Sequence, residues 1–168
     1  MEISRPHLVR IVALDEGIAP RIREALYKAI YNPGDSPLPQ GILEDERLSK
    51  YHESWGKEGD FGYAAVLEGA GEVVGMCWCR LFRGTNRGFG YVDDDTPELS
   101  IAVWEAFRGK GIGGRLLDAT ISEARSRGYG GLSLSVQREN RSVSLYRRSG
   151  FKILRCADDA YTMYLGFG

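Results

Sequence analysis

Glu98-Leu99-Ser100-Ile101-Ala102-Val103 alternates like a strand, and five residues after Val103 the chain reads Arg108-Gly109-Lys110-Gly111-Ile112-Gly113. Leu99, Ile101 and Val103 share one strongly apolar face, the period-two pattern of a strand with a buried side. From Gly113 onward, Leu116, Leu117, Ala119, Ile121 and Ala124 recur at helical spacing, and Gly128 suits a left-handed helix end. Strand, glycine turn and helix therefore follow one another. Such a junction turns unpaired backbone N–H groups and the positive end of the helix dipole toward whatever lies in front, and phosphates bind there.

Working outward, the chain continues with a strand over Gly131 to Val136, a short helix from about Asn140 to Arg148 closed by Gly150, and a last strand around Tyr161 to Leu165. Upstream, Phe61 to Glu68 and Val73 to Phe82 read as two strands joined by a glycine-rich turn, an antiparallel hairpin. Leu8 to Leu14 is an opening strand, and Ile22, Leu26, Ala29 and Ile30 mark a helix between Ile18 and Tyr31. Asp35 to Gly41 is a loop, Leu43 to Trp55 predicts a second helix, and Arg83 to Pro97 is a long loop of the kind that often carries function. The order is mixed α/β with a parallel crossover in its second half.

The 168 residues fit one domain, 1–168, with a single core. Hydrophobic residues at 43% and charged residues at 27% exclude a disordered chain. No apolar run is long enough to span a bilayer, and Met1-Glu2-Ile3-Ser4-Arg5-Pro6 lacks the apolar core of a signal peptide, so a cytoplasmic protein is expected. Cys77, Cys79 and Cys156 are odd in number and suit reduced thiols; Cys77 and Cys79 supply only two soft ligands with neither His7 nor His52 beside them in sequence, so no metal is expected. Residues 105 to 155 hold 11 basic and 4 acidic side chains against 11 and 17 for residues 1 to 104. That basic half coincides with the glycine loop and lacks interleaved aromatics, which favours a small polyanion over nucleic acid.

Three phosphate-binding patterns compete for the loop. A Walker loop requires Ser or Thr after its Gly-Lys, whereas Gly111 and Ile112 follow Lys110. Gly109-x-Gly111-x-x-Gly114 matches the dinucleotide fingerprint, but Trp104 to Arg108 intervene after the strand and the next strand ends at Val136-Gln137 without an acid. Arg108-x-x-Gly111-x-Gly113 fits the third pattern, and with Asn140, Tyr146 and the turn Ser149-Gly150-Phe151 the chain resembles the GNAT superfamily of N-acetyltransferases from about residue 98 to 165.

That resemblance implies the acyl-CoA N-acyltransferase fold: a mixed, mostly antiparallel central sheet with a splayed parallel pair and helices on both faces. It implies acetyl-coenzyme A as donor, with Ile101 and Val103 on the strand that receives the pantetheine arm. Arg108, Gly109, Lys110, Gly111, Ile112 and Gly113 would hold the pyrophosphate, and Asn140 and Tyr146 would lie along the cofactor. The catalytic residues implied are Glu98, as base directly or through water, and Tyr146, as proton donor to the departing thiolate. A backbone N–H of the cofactor strand, that of Val103, would donate to the oxyanion. Glu98 equally reads as the mere end of a strand beside an acidic loop, and Asn140 as a helix cap.

The implied partner is a small-molecule or peptidic amine, with no nucleic acid and no membrane, and a homodimer is left open. Asp93-Asp94-Asp95 reads as a solvated loop tip or as an attractor for a cationic amine. Trp55 and the loop from Asn32 to Gly41 are candidate walls of the acceptor pocket. A non-catalytic acyl-coenzyme A sensor is the competing function.

Overall fold

A computed structural model describes residues 8–34 and 36–168. The opening Met1 to Pro6, His7 and the loop residue Asp35 lie outside the described residues. Seven strands form one sheet in the order β1-β2-β3-β4-β5-β7-β6, with β1 Val9–Ala13, β2 Phe61–Leu67, β3 Val73–Arg80, β4 Glu98–Val103, β5 Gly131–Gln137, β6 Lys152–Ala157 and β7 Ala160–Gly166. Every neighbouring pair is antiparallel except β4 and β5, which run parallel. The helices are α1 Ile22–Ala29, α2 Glu46–Ser49, α3 Ile112–Ser126 and α4 Ser142–Arg148. This is the mixed, mostly antiparallel sheet with one parallel pair that the sequence led us to expect.

Two apolar layers form on opposite faces of the sheet. Alternation along β4 sends Leu99, Ile101 and Val103 to one, where Ile112, Leu116, Leu117 and Ala124 of α3 and Tyr146 of α4 meet them. It sends Ala102 to the other, with Met76 and Trp78 of β3 and Ile22, Ala25 and Leu26 of α1. Leu116 and Leu117 are fully buried, each stabilising the layer by about 1.5–3 kcal/mol. Beyond Ser126 the chain closes α3 through Gly128 at φ 84°, and Tyr129 N–H returns to Ala124 O at 3.2 Å, the left-handed ending expected there.

Two segments depart from expectation. Leu43 to Trp55 is not one helix but a 3-10 turn over Ile42–Glu44, the single turn of α2 and further turns ending at Ser54, whose φ is 54°. Asp45, at ψ 128°, breaks the run and accepts the Arg47 N–H at 2.9 Å to start α2 afresh, and past α2 the carbonyls of Lys50, Glu53 and Ser54 are taken by the Arg80 guanidinium. The unforeseen strand is β6, whose six residues are all exposed; an edge strand with neither face covered has no apolar alternation to betray it.

Candidate active site

The parallel pair opens almost as soon as it forms. Glu98↔Ser133 is its only register pair, supported by Ser133 N–H donating to Pro97 O at 3.0 Å. Trp104 N–H donates to Val74 O at 2.9 Å, so alternation turns the even residues of β4 toward β3 and the N–H groups of Ile101 and Val103 into the gap beside β5. Val103 O is occupied by Arg108 Nε at 3.0 Å. Arg108 thus ties the glycine loop to the last residue of β4.

Past Arg108 the backbone N–H groups of Gly109, Lys110, Gly111, Ile112, Gly113 and Gly114 have no protein acceptor among the described residues; the first returning bond is Arg115 N–H to Gly111 O at 3.2 Å. Gly111 sits at φ 80° directly before the 15-residue α3, with no side-chain cap and no acid in the first turn. Six adjacent free donors at the positive end of a helix are the arrangement to which anions bind in proteins. A Cβ placed on Gly109, Gly111 or Gly114 would meet nothing within 4 Å, so the loop presents bare backbone outward. The donor set suits a pyrophosphate. Lys110 Nζ lies 5.5 Å from the centre of the Phe107 ring.

Glu98 lies at the other end of β4, only 4% exposed. Its Oε1 accepts from Tyr51 Oη at 2.7 Å and from Gly90 N–H at 2.8 Å, while Oε2 is buried without a partner. Burial pushes this carboxyl up to about 7, against the lowering effect of the Tyr51 and Gly90 hydrogen bonds. Tyr51 is pushed well above the ordinary phenol value by burial and by the Glu98 charge, so it stays a donor. The long loop closes the top: a Cβ on Gly88 would sit 1.9 Å from Glu98 Oε2 and 2.5 Å from Tyr51 Oη, so only glycine fits.

Tyr146 is 6% exposed, packs edge-on to Phe151 at 6.0 Å, and has no hydrogen-bond partner for its hydroxyl among the described residues. Burial, with Cys77 nearby, raises its pKa. Asn140 Oδ1 accepts from Ser142 N–H at 2.9 Å at the start of α4; it makes the capping contact, and its amide N–H₂ remains available. Asp93 Oδ1 accepts from Asp95 N–H and Thr96 Oγ1, and Asp94 Oδ1 from Gly84 N–H and Tyr91 Oη, all within their own loop. A pocket of about 200 Å³ lies beyond the C-terminal end of β5, lined by Tyr31, Gln137, Arg138, Glu139 and Asp159, and none of the glycine-loop residues lines it.

Ile101, Val103 and the loop Arg108 to Gly113 come together at one end of the gap, and Glu98 marks where it closes. Tyr51, Gly88 and Gly90, which the sequence did not single out, lie against the Glu98 carboxyl. Cys77 and Cys79 are wholly buried, with Cys77 pushed up to about 12 by burial, and among the described residues no group of three or more His, Cys, Asp or Glu is placed to hold a metal. No helix among them is long and apolar enough to cross a membrane.

Residues 25–151 match the family model described as Acetyltransferase (GNAT) family. Among curated proteins, the chain is 37% identical over 101 residues to an L-methionine sulfoximine/L-methionine sulfone acetyltransferase of Pseudomonas aeruginosa, covering 55% of this chain and 52% of that one. It is 34% identical over 96 residues to a mycothiol acetyltransferase of Propionibacterium freudenreichii, covering 55% of this chain and 28% of that one. The chain therefore spans about half or less of the length of these relatives. Among solved structures, a putative acetyltransferase of Acinetobacter baylyi superposes with a TM-score of 0.72 at 21% identity, covering 97% of this chain and 95% of that one. The putative acetyltransferase yncA of Salmonella typhimurium, solved with acetyl-CoA, gives 0.67 at 24% identity, covering 95% and 94%. With the family model spanning most of its length and a sheet that opens beside an uncapped glycine loop, the chain belongs to the acetyltransferase (GNAT) family.

Proposed function

We propose that this protein is an N-acetyltransferase that moves the acetyl group of acetyl-coenzyme A directly to the primary amine of a small molecule or peptide. The observation that carries this reading is the run of free N–H groups from Gly109 to Gly114 at the start of α3, placed beside a parallel pair that separates after one register pair. The names of the two curated relatives favour a small-molecule acceptor. Buried thiols on β3 suit a reducing, cytoplasmic setting.

When bound, acetyl-coenzyme A supplies a thioester that is already activated toward an amine. The loop N–H groups and Arg108 would hold its pyrophosphate, Ile101 and Val103 would line the pantetheine arm through their gap-facing backbone, and Asn140 would contribute its free amide donors. The Val103 N–H, turned into the gap, would be the donor for an oxyanion on the thioester carbonyl. An acceptor amine is protonated at neutral pH and must lose a proton before it attacks. Glu98, held near 7, is matched to accept that proton directly or through water, because a base is most effective when its pKa lies near the working pH. Tyr146, raised by burial, keeps its proton throughout this range and would be the donor to the departing thiolate.

A second reading, a non-catalytic acyl-coenzyme A sensor, draws on one observation: Glu98 is almost fully covered by Tyr51 and the Gly88–Gly90 backbone. A panel of primary amines with acetyl-coenzyme A, read by free-thiol release, separates the two. Transfer to at least one amine, reduced about 100-fold or more in Glu98→Gln, is expected. Tight acetyl-coenzyme A binding without thiol release on any amine would establish the sensor instead.

A further inference from the structure

Arg80 is the cross-strand partner of Glu98 in the β3–β4 register, on the same face of the sheet, and side chains so placed have Cβ atoms about 4.5–5.5 Å apart. The natural expectation is an ion pair between them. It does not form. All of the Arg80 donors are spent elsewhere: Nε on Asp60 Oδ1 at 2.9 Å, Nη2 on Asp60 Oδ2 at 3.0 Å and Ser54 O at 3.1 Å, and Nη1 on Lys50 O at 2.9 Å and Glu53 O at 2.5 Å. The two side chains of this pair are 4% and 3% exposed. Asp60 is itself held in place, its Oδ2 accepting from the Gly56 and Lys57 N–H groups at 3.0 and 2.9 Å.

We propose that Asp60 is a positioning residue for acetyl transfer: by holding Arg80 in a two-point buried ion pair, it keeps a guanidinium charge off Glu98 and leaves that carboxyl able to take a proton. This rests on the reading of Glu98 as the base. A cation paired directly with a buried carboxylate holds it ionised far below neutral pH, where it is a weak base. With Asp60 neutralising Arg80 at contact distance, burial dominates the Glu98 carboxyl and lifts it.

The other charged and titratable groups around Glu98 do not undo this. Lys50, from the turn after α2, lowers the carboxyl only as the smallest of its influences, and its Nζ donates to Arg87 O at 2.8 Å. Tyr51 is a neutral donor, Cys79 of β3 is a buried neutral thiol, the loop contributes backbone at Gly88 and Gly90, and β5 contributes the uncharged Ser133. The same Arg80 also grips the carbonyls on either side of Tyr51, while Trp78 Nε1 donates to Tyr51 O at 2.9 Å, so the turn that carries the Glu98 partner is fixed from below.

The test is the titration of the Glu98 carboxyl, followed by carbon NMR in ¹³C-labelled full-length protein and assigned by its loss in Glu98→Gln. In Asp60→Asn the guanidinium loses its counter-charge, and the Glu98 midpoint is expected to fall by about one pH unit or more. Asp60→Ser, which keeps an acceptor for Gly56 and Lys57, carries the same expectation should the Asn variant not fold, with acetyl-coenzyme A binding as the check on folding. In the double variant Asp60→Leu/Arg80→Met, which removes both charges, the midpoint is expected to stay near the wild-type value. An unchanged midpoint in the single variants, or an equal fall in the double variant, overturns the proposal. Because the titration needs no turnover, it is separable from the base reading: Glu98→Gln that transfers acetyl normally sinks the base while the effect of Asp60 on the carboxyl stands.

Discussion

Tyr51 donates a 2.7 Å hydrogen bond to Glu98 across 47 residues of chain, and its hydroxyl accepts the Phe89 N–H at the same distance. One phenol therefore joins the turn after α2, the long loop and the start of β4. Tyr51→Phe removes a buried donor from a carboxyl that already has one orphaned oxygen. The expected cost is about 1–3 kcal/mol in urea unfolding. Since the Tyr51 bond lowers the Glu98 pKa, its loss should also move the acid limb of the rate profile to higher pH.

Glu98 gives a pH signature of opposite sign to an ordinary surface carboxylate. Its proton leaves near 4.5 in an unperturbed chain and near 7 in the folded protein. Between those values the folded state binds more protons, so its stability falls as pH rises. The contribution is fully present below about 4.5 and lost through 7, a change of roughly 3 kcal/mol. Glu98→Gln does not titrate, so its stability relative to wild type should grow by roughly that amount between pH 4.5 and 8. Urea denaturation of both proteins at several pH values measures this, and a constant difference would contradict a carboxyl held up by burial.

Arg108 and Lys110 flank Gly109 but are expected to differ. Arg108 fixes the loop to Val103 O as well as carrying charge, whereas Lys110 rests over the Phe107 ring. Arg108→Ala should weaken acetyl-coenzyme A binding about tenfold or more, roughly 1.4 kcal/mol, and Lys110→Ala less. Equal losses in calorimetry would reduce Arg108 to a simple surface charge.

These expectations divide along what a linear sequence can display. The glycine loop, the helix behind it and the strand before it were legible because their determinants are local: alternation over Leu99, Ile101 and Val103, helical spacing from Leu116, a glycine at each end of α3. The Glu98 environment was not, because Tyr51 and Gly88 reach it, and Asp60 reaches the neighbouring Arg80, only through strand register and loop closure. Gly88 and Gly90 read as ordinary loop glycines until the carboxyl beneath them is seen. Leu43 to Trp55 read as a helix because its composition suits one, but Asp45 breaks the run, and Arg80, some 30 residues away, claims carbonyls past α2.

The anion site proposed at Gly109 to Gly114 is tested most directly by calorimetric titration of acetyl-coenzyme A, coenzyme A and NADH into wild type and Gly111→Val. Gly111 holds φ 80°, a conformation a β-branched residue resists, and its Cβ would project from bare backbone into the space the pyrophosphate needs. Saturable binding of both coenzyme A species but not NADH by wild type, and its loss in the folded variant, is the expected result. No coenzyme A binding by wild type, or equal binding by Gly111→Val, would contradict it.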